Sequence, residues 1–566
     1  MQLLTGYYGR SQVAASSGGA SGGLAVSLAP NLRRDRVSFS GELQDPLRFR
    51  EAVSALHAVV MSNLKMKVMG RSAYQAYLQR MQGRERALRE TVRKQTQTTL
   101  LAEPSKIPPG LESSFKHLRG EYWDARQKYS NYLAKNDPAL FRALVPCDPV
   151  ITVAADVLMF EAFSKDESSY GCLSVHRDIF TTNRDVAVGT TNVDYSQALY
   201  EEFQRLRTYR PTRFAVDPAG FEVSTGDAGL REEKIDLPPS WLQGFCQLQA
   251  ALSLPLRKVP ITREALYSIL AHLKKHRAKK SPRALRFELV PGKSVEIVLE
   301  PWEKRIVLHN DTYTGPQAET IRIWGRDRLV SLARLLPLMN RGEVYLLGTG
   351  LPSFWNIDLG PMRFLLGLSG WTANDWTSGG GALADLAPPV EPSEDLLGDI
   401  AAAFQASPAI SFRSLRERVG ATPHHVAAGL NRFALLGQVI HDPAAAVYRW
   451  RSILPVALSL KQVKINSAEA EAGKEIATRG EASVIRDETV AGLRAVVGKA
   501  DGRDVEILSD ADRRMIRGQC NCSHYFRFKL RSGPCRHMQA LRRVADGERP
   551  AGSIEQWYRR VAGSAN

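Results

Sequence analysis

The pattern Cys520-Asn-Cys522, twelve residues, then Cys535-Arg-His537 constrains this chain more than any other stretch of it. Three thiols and an imidazole make a complete tetrahedral donor set for Zn²⁺ and leave no coordination position for water or substrate. A closed set of that kind predicts a structural metal. Residues i and i+2 of a strand project from one face, so Cys520 and Cys522 can present both sulfurs together. His524 to Lys529 alternates enough to be read as the next strand. Gly533-Pro534 then supplies a turn, and Cys535 and His537 fall in the first turn of a helix that would bury Met538, Leu541 and Val544.

Positive charge crowds the same region. The chain carries a formal +17, which implies an acidic partner and says nothing about fold. Between Asp512 and Arg560 lie twelve Lys or Arg and four acids, a net of +8. Three thiolates on one Zn²⁺ leave the site net negative, so a neighbouring cation such as Arg536 would stabilise it. The remaining cations are suited to phosphates. The candidates for phosphate contact are Arg513, Arg514, Arg527, Arg531, Arg542 and Arg543.

The C-x-C…C-x-H signature resembles the SWIM zinc finger, over roughly residues 504–545. The resemblance assigns Cys520, Cys522, Cys535 and His537 as zinc ligands. His524 is a spare imidazole within the spacer and reads as a strand residue.

At 566 residues the chain is long enough for several domains, each with its own core. The expected class is multidomain α+β, in four sections. These are an N-terminal helical region (1–145), an α+β region (146–385), a winged-helix-like domain (394–452) and a zinc-finger domain (453–566). A Gly/Ser stretch at 16–23 reads as flexible. Helical periodicity runs from Pro46 to about Leu144, including a segment whose Tyr122, Trp123, Tyr129 and Tyr132 read as packing residues. From Pro149 the pattern changes to short strands, at 150–153 and 157–160. Two hairpin-strand-helix units follow, one with a hairpin from Phe214 to Val223 and a helix from Trp241 to Leu252. The other has a hairpin from Val295 to Leu308 and a helix from Arg328 to Leu336, so a tandem duplication is expected. An amphipathic helix from Glu264 to Lys280 separates them.

Residues 378–392 read as a linker. Beyond it come three helices, the third opened by Thr422-Pro423, and a two-stranded wing at 439–442 and 447–450; together they look like a winged helix. Its third helix offers only His424, His425, Asn431 and Arg432 as polar readers, too few for ordinary major-groove recognition. No run of eighteen apolar residues occurs and the N-terminus lacks a basic-then-apolar signal, so a cytoplasmic protein without a membrane partner is expected. Cys147, Cys172 and Cys246 have no partner at metal-ligand spacing and read as buried thiols in a reducing compartment.

No phosphate-binding glycine loop, H-E-x-x-H or G-x-S-x-G motif occurs. The sections in this order resemble the SWIM-finger proteins that bacteria encode beside a MoxR-type AAA ATPase and a von Willebrand factor A-domain protein. The leading expectation is therefore a non-enzymatic adaptor with structural Zn²⁺ that binds nucleic acid through its basic finger. A protein adaptor docking the ATPase or the A-domain subunit is the alternative. A nuclease using acids such as Asp156, Glu161, Glu296 or Glu300 is the third.

Overall fold

In a computed structural model of the chain, the described residues are 37–62, 149–192, 239–279, 281–370, 383–453 and 467–547, with the strands Gln12–Ala15, Leu24–Leu28 and Thr212–Val216 and a few isolated positions. The helices expected between 65 and 144 with their four aromatic residues, the stretch 16–23 and Cys147 lie outside them. The chain divides into two compact units, one built of Met1–Gly6, Asn63–Val145 and Leu230–Ile235. Everything that follows belongs to the other.

An eight-stranded antiparallel sheet organises this unit. Its strand order is Arg257–Ile261, Arg341–Leu346, Ser353–Asp358, Met362–Leu368, Ser169–His176, Val157–Phe163, Val150–Val153 and Gly189–Asn192. Every residue of Val157–Phe163 is buried, which requires cover on both faces of the sheet. Successive side chains alternate faces, so Phe160 and Phe163 point opposite ways. Phe160 meets Phe49 of helix Pro46–Val60 edge-on, ring centroids 5.8 Å apart, and Phe163 meets Phe245 of helix Pro239–Leu252 at 4.8 Å. One strand over, Tyr170 packs on Phe245 while Gly171 faces Leu56. A Cβ at 171 would come within 2.9 Å of Leu56 Cδ1, so glycine there lets the first helix sit directly on the sheet.

The hairpin expected from Val295 forms as Ser294–Leu299 and Lys304–Thr312, in a four-stranded sheet with Leu285–Leu289 and Glu319–Ile323. The helix expected after it is a 3₁₀ segment, Arg326–Leu338, with Pro337 inside. Of the hairpin expected from Phe214 to Val223 only the first arm is described, and residues 217–238 lie outside the described residues. Thr212–Val216 pairs parallel to Leu24–Leu28 and antiparallel to Ser38–Leu43 in a five-stranded sheet. No tandem duplication is seen among the described residues. Local turn signals suggest a hairpin, but pairing is decided by the strand edges that distant segments offer.

Helices Glu394–Ala406, Phe412–Val419 and Pro423–Leu435 precede the antiparallel strands Val439–Asp442 and Val447–Trp450, to which Ala409–Ile410 adds a third. Ser393 and Ser411 cap the first two helices by accepting the Leu396 and Ser414 N–H groups, satisfying donors that a helix start leaves open. This module has its own apolar core, with Ile400, Phe404, Leu415, Val426, Leu430 and Tyr448 among its members.

Two arginines tie that module to the eight-stranded sheet. Arg449 donates to both carboxylate oxygens of Asp156, at 2.6 and 3.0 Å, and to Asp442. Arg451 is bound to Glu161, both side chains fully buried, and Glu161 also accepts the Tyr170 hydroxyl. Burial alone would raise the Asp156 carboxyl, but the Arg449 hydrogen bond and charge outweigh it and hold the group below the usual range. The other two acids singled out in the sequence are matched likewise, Glu296 by Arg305 at 2.5 Å and Glu300 by Arg286 at 2.6 Å and Arg322 at 3.0 Å. Each of these four acids therefore has an arginine partner.

Replacing Arg451 with Ala leaves the Glu161 charge alone in the core and is expected to cost about 3–5 kcal/mol, read as a lowered midpoint of urea unfolding. The double change Glu161→Leu with Arg451→Met recovers most of that loss, because removing both charges together is close to neutral.

Candidate metal centre

The strands Ala482–Val490, Leu493–Ala500, Arg503–Ser509 and Met515–Cys520 form an antiparallel meander. Its first two turns are Ala491-Gly492 and Asp501-Gly502, each with both residues at positive φ (51° and 78°, 47° and 68°). Such turns match the twist of the strands they join. Helix Arg536–Ala545 packs on this sheet with Met538 and Leu541 fully buried. Helix Ala468–Thr478 packs against it in turn. A Cβ at Gly473 would lie 2.8 Å from the Arg536 carbonyl oxygen, so the crossing of these two helices depends on that glycine.

The four candidate ligands are placed by local rules. Cys520 ends the last strand. Cys522 is the N-cap of helix Ser523–Phe528, its Sγ accepting the Tyr525 N–H at 3.4 Å. Cys535 is the N-cap of helix Arg536–Ala545, and His537 lies in that helix's first turn. The four donor atoms lie within 4.8 Å of one another and all four residues are buried. Tetrahedral zinc with Zn–S near 2.3 Å and Zn–N near 2.0 Å places a sulfur and a nitrogen about 3.5 Å apart, and Cys520 Sγ is 3.8 Å from His537 Nδ1. The Cys₃His cluster is compatible with zinc, and it is the one such group among the described residues. Helix Ser523–Phe528 corrects the strand expected at His524 to Lys529, since alternation over six residues does not separate strand from short helix and the Cys522 cap decides it. The His524 ring packs on Phe528, with centroids 5.2 Å apart, away from the cluster.

The surroundings favour a thiolate at Cys520. The hydrogen bond from the Cys535 thiol, helped by His537 and the Cys522 backbone against the opposing effect of burial, pulls the Cys520 thiol down to about 4. That same bond, followed by burial, pushes the Cys535 thiol up. The N-terminus of a ten-residue helix at Cys535 adds a favourable dipole. With Nδ1 facing the sulfurs, His537 turns Nε2 toward Asp501, whose Oδ2 is 3.8 Å away. An outer carboxylate on the distal nitrogen is the usual means of orienting a ligating imidazole. Asp501 was visible in the sequence only as half of a turn dipeptide. Glu469, which accepts the Arg536 backbone N–H at 2.8 Å and pairs with its guanidinium at 2.6 Å, gave no sequence signal, being 67 residues away.

The basic candidates divide. Arg514 donates to Asp510, Asp512 and the Ser253 carbonyl and lies over the Phe412 ring. Arg542 is buried and donates to the carbonyls of Asp385 at 2.7 Å and Ala387 at 2.6 Å. The described end of the expected linker is thus a buried turn, Ala384–Leu386, held by the helix of the metal centre. Arg513 pairs with Asp546 at 3.0 Å, Arg543 is half-buried and Arg531 caps the spacer helix through the Arg527 and Phe528 carbonyls. Arg527 is exposed, as are Arg517 and Lys529 beside it. Cys172 and Cys246 are buried thiols pushed up to about 12 by burial.

No family model matches the chain, and no curated protein matches it. Among solved structures, the proliferating cellular nuclear antigen of Entamoeba histolytica shares 10% identity at a TM-score of 0.28, over 41% of this chain and 95% of that one. A. fulgidus PCNA bound to the C-terminal region of FEN-1 shares 14% at 0.27, over 42% and 94%. PCNA from Thermococcus kodakaraensis shares 11% at 0.26, over 39% and 90%. Likenesses of this size carry no argument about fold or function.

The purified protein is expected to hold one equivalent of zinc, and Cys535→Ser to lose it, by elemental analysis. Hydrogen exchange in that variant should accelerate in 482–520 and 536–545 and extend to 384–387 through Arg542, while the eight-stranded sheet stays protected. Metal affinity should fall as pH falls, because protons compete for the thiolates. Metal binding should release thiol protons, measurable by calorimetry in buffers of different ionisation enthalpy.

Proposed function

We propose that this protein is a non-enzymatic, zinc-stabilised adaptor that binds nucleic acid through a C-terminal finger of the SWIM type. The observation that carries this reading is the exposed cationic surface beside the buried Cys₃His cluster. Arg527 and Lys529 stand on or just after the helix capped by Cys522, and Arg517 on the strand that ends at Cys520. A metal that fixes Cys520 and Cys522 fixes the base of that surface. Phosphates are the natural ligands of exposed Arg and Lys held in this way. Of the six arginines first considered, Arg527 is the leading contact. Arg513, Arg531 and Arg543 are secondary, and Arg514 and Arg542 contribute by holding the finger in place.

The module at 394–452 has the helix order and paired strands of a winged helix, and we assign it a structural part. Its third helix packs against helix Pro239–Leu252, and Arg432 on that helix pairs with Glu391 at 2.7 Å, which leaves few polar groups to read bases. Buried free thiols at Cys172 and Cys246 suit a cytoplasmic setting. No helix among the described residues is long and apolar enough to cross a membrane.

A protein-adaptor reading draws on a different surface. Ala482–Val490 is the outer strand of the meander, with Ile485 and Val490 each 67% exposed, and an open strand edge is a common docking element. The MoxR-type ATPase and the A-domain protein suggested by the sequence resemblance are the partners to seek there.

Binding to a fluorescent oligonucleotide should weaken steeply with salt, the log–log slope reporting the phosphates contacted. Arg527→Ala should lower that slope by about 1. Absence of binding at low ionic strength, with a protein subunit retained after nuclease treatment, would replace this reading with the protein adaptor.

A further inference from the structure

Phe526 stands 82% exposed, more than any other large apolar side chain among the described residues. It sits on the six-residue helix Ser523–Phe528, in the run His524-Tyr525-Phe526-Arg527-Phe528-Lys529, where aromatic and basic residues interleave. Full burial of a Phe ring is ordinarily favourable, yet the fold leaves this ring in water. Both ends of the helix that carries it are held. Cys522 caps the start through the Tyr525 N–H, and Arg531 closes the end by donating to the Arg527 and Phe528 carbonyls, each at 3.0 Å. Lys529 adopts φ 53°, rare for a residue other than glycine, and its ammonium lies 4.5 Å from the Tyr525 ring centroid and 5.9 Å from that of Phe526. The Arg527 guanidinium lies 5.1 Å from the Phe528 centroid. Arg517 on the adjoining strand adds a third exposed cation, against the exposed acid Glu506 on the next strand.

We propose that this helix is a stacking platform for a single-stranded polynucleotide, with Phe526 receiving one base face and Arg527, Lys529 and Arg517 the flanking phosphates. The proposal rests on the nucleic-acid reading above and adds the form of the ligand. An exposed ring on a helix held at both ends binds a planar base at a lower entropic cost than one on a free loop. In a duplex the base faces are already stacked, so only unpaired bases can reach it. The surrounding positive charge favours a polyanion over an apolar peptide, which would need no phosphate partners.

Fluorescence anisotropy with the full chain tests this, using a labelled oligodeoxyuridylate, its oligouridylate counterpart and a duplex of equal length. Either single strand should bind more tightly than the duplex, and the tighter of the two identifies the sugar. Phe526→Ala should weaken single-strand binding by about 5- to 150-fold, with zinc content and salt slope unchanged. Phe526→Trp should keep the affinity, and its added indole emission should be quenched on binding. Phe526→Leu should fail like Ala, because apolarity without an aromatic face does not stack. Wild-type affinity in the Ala variant, full affinity in the Leu variant, or a preference for duplex overturns the platform while leaving nucleic-acid binding standing. No binding of any polynucleotide by the wild-type chain at low salt overturns both.

Discussion

Helix Arg536–Ala545 is the element on which the C-terminal half turns, and its position is set at one end by the Cys₃His cluster. Two of the four donors, Cys535 and His537, lie at its start, and the other two flank the end of a strand and the start of a second helix. A divalent ion held by them would join these three elements at one point. From that point the helix lays Met538 and Leu541 on the meander and sends Arg542 to the backbone at 385–387. Side chains of the centre belong to the same apolar core as the eight-stranded sheet. The influence of the cluster thus reaches beyond the finger to the turn at 385–387.

Arginine does much of the remaining work of joining elements. Arg449 and Arg451 fasten the three-helix module to the large sheet, Arg514 links the finger to helix Pro239–Leu252 and to Phe412, and Arg542 holds the turn after the central region. A planar guanidinium with five donors can meet two carboxylates or several carbonyls at once, which a lysine cannot. Much of the basic excess that a sequence presents as surface is consumed inside. What remains exposed near the cluster is a small set around the spacer helix, next to an aromatic ring that has no place in the core.

The ligand set was legible because its chemistry is local: four donors within eighteen positions admit few uses other than a metal. The hairpin at Ser294–Thr312, the helix beginning at Thr422-Pro423 and the helix following Cys535 were legible for the same reason, each carrying a turn, cap or periodicity of its own. The spacer helix was misread because six residues hold too few repeats to distinguish periods of 2 and 3.6. The pairing of Thr212–Val216 was not legible because its partners, Leu24–Leu28 and Ser38–Leu43, lie far off in the chain. The Asp501-Gly502 turn was there to be seen, but its role opposite His537 was not.

What the amino-acid order determined by itself was the donor set, the basic bias around it and those elements whose signals lie within a few residues. Tertiary structure alone decided which arginines face outward, since that depends on whether the Asp385 carbonyl, the Ser253 carbonyl or Glu161 comes within reach from distant parts of the chain. It also decided that Phe526 is left in water while its neighbours Tyr525 and Phe528 are partly covered. Charge and apolarity are properties of a residue, but exposure is a property of its surroundings, and here those surroundings are assembled from segments tens to hundreds of residues apart.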